Sequence, residues 1–134
     1  MADPDLEIQG EIVKRLKADP AVAALVNSRI YDSVPAGAQF PYVSYGPSDL
    51  VSEDAECITA FSGFHQLDAW SRGVGYPEVK KIAEAVRVAL HEAPLALPTN
   101  ALVFIEHRST RYVRDPDGLT SHAVIQLETI IEHP

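Results

Sequence analysis

The sequence predicts an α+β domain: an antiparallel sheet of four to five strands with two main helices packed on one face, in the order α-α-β-β-β-α-β-β. Three observations lead there. Residues 77–90 repeat Val79, Ile82, Ala83, Val86 and Leu90 at helical spacing. Residues 119–132 alternate, with Ala123, Ile125, Leu127, Thr129 and Ile131 on one side and His122, Val124, Gln126, Glu128 and Ile130 on the other. A second long strand pattern, 102–114, precedes them, and Asp115-Pro-Asp-Gly118 between the two is a turn sequence.

The elements follow in order. Ile8, Ile12, Val13 and Leu16 line one face of a first helix over residues 5–18, whose acids come early and bases late, matching the helix dipole. Asp19-Pro20 stops it and caps a short second helix, 21–26, which Asn27 ends in a left-handed conformation. Residues 29–34 read as a short strand, and Pro41 opens another over 42–45, which Gly46-Pro47 breaks or bulges. Asp49 to Glu56 holds Asp49, Glu53, Asp54 and Glu56 without a base and reads as a solvated, mobile loop or hairpin tip. A strand follows over 59–71, with Trp70 expected in the core and Gly63 expected at a bulge.

The 134 residues suit a single domain, 1–134, able to bury one core without staples. One cysteine, Cys57, permits no internal disulfide and no cysteine zinc site. The N-terminus, Met-Ala-Asp-Pro-Asp-Leu-Glu, has neither a basic nor an apolar signal region, and no stretch reaches the ~20 apolar residues of a membrane span. Nineteen acids against eleven bases give a net charge of −8, which disfavours gripping nucleic acid by its phosphates. It suits a surface past which DNA slides, and it also suits plain solubility.

Chemistry-bearing patterns are weak. His107 and His122 sit on the two arms of the final hairpin and mimic a metal site only if the fold joins them, since neither has metal-ligand spacing. Gly73-Val74-Gly75 stands before a helix, yet Glu78 occupies the third-glycine position of a dinucleotide fingerprint, and an acid there repels phosphate. No nucleophile elbow occurs, so no catalytic, cofactor or metal residue is assigned. Arg108, Arg111 and Arg114 form the one basic cluster. Strict alternation places Arg108 and Arg114 on one strand face and Arg111 on the other, as candidates for a subunit interface. Asp49, Glu53, Asp54, Glu56, Asp115 and Asp117 are the candidate loop residues for a partner or a lumen.

Six stretches together carry a resemblance: residues 16–26 (Leu-Lys-Ala-Asp-Pro-Ala-Val-Ala-Ala-Leu-Val), 29–35 (Arg-Ile-Tyr-Asp-Ser-Val-Pro), 40–43 (Phe-Pro-Tyr-Val), 68–72 (Asp-Ala-Trp-Ser-Arg), 79–86 with Leu90-His91, and 112–118 (Tyr-Val-Arg-Asp-Pro-Asp-Gly). In order and spacing the chain resembles the tail completion proteins of long-tailed phages and gene transfer agents, also called tail terminators or tail-to-head joining proteins. The resemblance implies a structural, non-enzymatic virion protein without cofactor, made in the host bacterial cytoplasm. It implies a hexameric ring that ends the tail tube and meets tail tube protein, the head-side connector, and double-stranded DNA as passing cargo. The alternatives are a connector protein of the same neck, or a small ligand-binding domain or enzyme.

Overall fold

Two capped helices open the chain. The computed structural model describes residues 2–134. α1 (Pro4–Ala18) starts where the Asp3 carboxylate accepts from Asp5 N, and α2 (Pro20–Val26) where Asp19 accepts from Ala21 N and Val22 N. Both begin with proline, which needs no hydrogen-bond acceptor in the first turn. Asn27 then takes a positive φ of 55° and turns the chain toward the sheet.

The sheet has five strands in the spatial order β1-β2-β3-β5-β4. These are β1 (Ile30–Tyr31), β2 (Tyr42–Ser52), β3 (Thr59–Ser71), β4 (Ala101–Arg114) and β5 (Ser121–His133). All neighbours are antiparallel except β1 and β2, so the sheet is mixed. The early strand is only two residues long, shorter than the 29–34 pattern suggests. The 102–114 and 119–132 patterns hold, and Gly118, with φ 70°, closes their turn.

α3 (Pro77–Leu90) lies with α1 and α2 on one face of the sheet. The core is the layer between. Ile8, Ile12, Leu16, Ile82, Val86 and Leu90 meet Leu67, Ala69, Ile105, Ile125, Leu127 and Ile131, all essentially without solvent contact. Glu7 clips the far end of this layer. Its carboxylate accepts from Thr99 N, Thr99 Oγ1, Asn100 N and Asn100 Nδ2, tying α1 to the chain entering β4. Desolvation pushes that carboxyl up, but these hydrogen bonds outweigh it and leave it below its ordinary value.

Three sequence expectations fail in this sheet. The ladder slips at Gly46-Pro47, between Tyr45 and Ser48, yet β2 continues beyond it to Ser52, so Asp49 lies in a strand and not in a loop. Gly63 is not a bulge: its register is continuous on both sides. A Cβ there would stand 2.7 Å from Thr129 Oγ1 and 2.9 Å from His65 Nε2, so glycine serves a close approach. Trp70 lies on the face opposite the helices, because its neighbours Ala69 and Ser71 are the ones that point into the core.

Candidate assembly surfaces

The sheet presents an open face, two ends and two edges. On the open face Tyr42, Trp70, His122, Val124, Phe64, Val51, Phe104 and Ile130 mix with Asp68, Gln66, Gln126, Glu128, Arg108 and Arg111. The His122 and Trp70 rings stack with centroids 3.8 Å apart, and His122 Nε2 lies 2.6 Å from Asp68 Oδ1. Trp70 Nε1–H donates to Ser44 Oγ at 3.0 Å. Val124 is 94% buried there without a helix over it, sheltered by its neighbours on the sheet, while Phe64 stays 42% exposed.

The covered face holds a different polar cluster. His65 is fully buried, with Nδ1 2.9 Å from Tyr45 Oη and Nε2 3.0 Å from Thr129 Oγ1. Burial pushes the Tyr45 hydroxyl up, so it stays protonated and donates to Nδ1, which leaves Nε2–H to donate to Thr129. Burial likewise pushes His65 down, keeping it neutral. This cluster was not legible in the sequence, where His65 is one polar residue in an alternating strand.

The sequence-predicted acids fall at opposite ends. Glu53, Asp54 and Glu56 occupy the exposed β2–β3 tip. They are not simply solvated: Glu53 accepts from Ser62 Oγ and Asp54 from Ala60 N, which stitch the tip shut. Asp49 accepts from Phe64 N within the strand. Asp115 and Asp117 lie at the other end, in the β4–β5 turn beside the 72–76 loop. Asp117 accepts from Leu119 N, Thr120 N and Thr120 Oγ1, which hold its carboxyl below the usual range. Val74 and Leu119 stand exposed at that end around a cavity of about 290 Å³.

The arginines also part. A register slip between His107 and Ser109 resets the alternation of β4. Arg108 joins Arg111 on the open face, where it binds Glu106 at 3.0 Å and Glu128 at 2.5 Å. Arg114 turns to the helix face, 4.6 Å above the Tyr76 ring. The expected pairing of Arg108 with Arg114 is therefore wrong, since one inserted residue inverts every later side chain. His107 and His122 are on opposite faces, paired with Leu127 and Trp70 respectively, so the hairpin does not bring them together. The Gly73-Val74-Gly75 loop is tied to α3 by the acid the fingerprint forbids: Ser71 Oγ donates to Glu78 Oε1 at 2.6 Å and accepts from Gly73 N.

A family model described as tail completion protein gp17 matches residues 10–132. The chain belongs to that family. This tail completion protein is thus a structural component of a phage-type tail. Among solved structures it is similar to a chain of the virion of a native gene transfer agent particle, with 25% identity and a TM-score of 0.91. That match covers 98% of this chain and 99% of the other. It is also similar to the gp17 protein of bacteriophage SPP1, with 20% identity, a TM-score of 0.63, and coverage of 92% and 88%. The second likeness speaks to fold alone. No curated protein matches this chain.

Proposed function

We propose that this tail completion protein assembles as a hexameric ring on the head-proximal end of a tail tube. The ring stops tube growth and offers its other side to the head-side connector, and DNA passes through its lumen. The observation that carries this reading is the end-to-end likeness to a chain of an assembled gene transfer agent virion. Two features of the molecule support it. The net charge of −8 disfavours DNA sticking to a channel wall. The two stitched acidic turns, Glu53–Glu56 and Asp115–Asp117, project at opposite ends of the sheet, as a ring contacting one partner above and another below requires. The role is architectural, and no catalytic step is assigned to any residue.

The test is light scattering and negative-stain microscopy of the purified protein, alone and mixed with tail tube protein. Six-fold rings, or rings found at one end of tubes, are the expected result. A protein that stays monomeric and ignores tubes overturns the reading in favour of a connector protein or a ligand-binding domain.

A further inference from the structure

Each outer edge of the sheet is blocked along one half and open along the other. On β4, the tip half is covered: Glu92 N donates to Ile105 O and His107 N donates to His91 Nδ1. Residues 108–114 beyond have no strand beside them among the described residues. On β2 the pattern is reversed. β1 pairs Val43 and Ser44, and residues 47–52 toward the tip are open. Unpaired backbone in an edge strand is a template for pairing with another chain. Here two such segments of similar length lie diagonally across one molecule.

Their charges are opposite. The open half of β4 carries Arg108, Arg111 and Arg114, all exposed, and the open half of β2 carries Asp49 and leads to Glu53 and Asp54. Arg108 and Arg114 already have partners within the chain, whereas Arg111 makes no ion pair among the described residues. Arg111 pairs with Val124 and Asp49 with Phe64, so both project from the open face.

We propose that neighbouring copies join by antiparallel addition of β4 residues 108–114 of one subunit to β2 residues 47–52 of the next, with Arg111 meeting the partner's Asp49. This deepens the ring reading and rests on it. The contact is heterologous, the kind that closes into a ring when the rotation allows. The stagger agrees with closure. Asp49 stands level with Phe64 and Arg111 with Asp68, four residues apart along β3. That offset is about 14 Å, against about 19 Å for the four strand spacings from β2 of one copy to β2 of the next. The resulting tilt is about 36°, inside the range of about 35–45° at which sheets close on themselves. Addition at this stagger brings the partner's β4 to its end near β1, and covers Val51, now 46% exposed.

The test compares assembly of the intact protein, R111E and the R111E/D49R double variant by light scattering, with far-UV circular dichroism confirming that each folds. A companion variant carries Arg111→Cys, Asp49→Cys and Cys57→Ser and is oxidised after assembly. The expected result is that R111E raises the concentration needed for assembly at least tenfold, the double variant restores it, and oxidation yields a ladder of linked subunits. If the intact protein forms rings while R111E assembles equally well, or the charge swap fails to restore assembly, or no ladder forms, the edge contact is overturned and the ring reading stands. If the intact protein never assembles, alone or on tubes, both fall.

Discussion

The two faces of this sheet each hold a histidine, and the two are held in opposite ways. His65 lies under α1 with no solvent contact, its ring fixed by Tyr45 and Thr129 inside an apolar layer. His122 lies on the uncovered face, stacked on Trp70 and beside Asp68, with its side chain still partly accessible. The covered face excludes water by helix packing, so His65 is held there by protein partners, Tyr45 and Thr129. The open face keeps water within reach and holds its aromatic rings with polar neighbours, which suits a surface that meets other proteins. The difference separates what stabilises the monomer from what is free to serve assembly.

Removing a side chain from the sealed layer breaks the comparison most visibly. Leu67 is fully buried at the centre of β3. Leu67→Ala is expected to cost about 3 kcal/mol, within the range of about 2–5 for buried leucines. Chemical denaturation of the monomer measures it. A loss below 1 kcal/mol would mean that the helices do not seal this face. Trp70→Ala is the matching test on the open side. It removes a larger side chain, yet the expected loss is only about 1.5 kcal/mol, from the His122 stack and the Ser44 hydrogen bond. A loss as large as that of Leu67→Ala would show that the open face is part of the folding core.

What the sequence makes legible follows the same division. The alternation in β5 and the apolar stripe of α3 are read correctly because each faces one environment along its whole length. The cap at Asp19 and the turn at Asp115–Gly118 are local, so a few residues specify them. The open face is read poorly because it depends on bulges. Nothing in Ile105-Glu-His-Arg-Ser109 announces the slip that moves Arg108 beside Arg111. Gly63 looks like a bulge from its neighbours and is explained only by His65 and Thr129, the latter 66 residues away in the chain. Trp70 is expected in the core as a large aromatic, while the strand's parity assigns it outward.

Acid sharpens the contrast between the histidines. Burial holds His65 below its ordinary value of 6.5, while Asp5, with Oδ1 3.7 Å from Nδ1, and Asp49 oppose that shift. Below about pH 6.5 the unfolded chain binds a proton at this position that the folded chain does not. Stability therefore falls as pH drops from 6.5, by at most about 1.4 kcal/mol per pH unit, and is independent of this group well above 6.5. Other histidines titrate nearby, so the informative quantity is the difference between the intact protein and His65→Gln. Denaturant midpoints from pH 7.5 to 5.5 are expected to drop more steeply for the intact protein. Parallel curves would mean that His65 is protonated as readily in the fold as out of it.

The smallest effect belongs to the tip. Glu53 and Asp54 are exposed and each accepts one hydrogen bond that closes the β2–β3 hairpin. Replacing both by lysine removes two weak stitches in water, where such bonds contribute little, and relieves repulsion among neighbouring acids. The expected change in monomer stability is within about 0.5 kcal/mol. The same double variant inverts the charge of a whole end of the molecule, so its effect is expected in docking to a partner or in DNA passage. Sedimentation with tail tubes, read beside the unchanged melting temperature, separates the two. A large thermal loss would make the tip part of the folding unit. Unaltered tube binding and DNA passage would remove this end from the list of assembly surfaces.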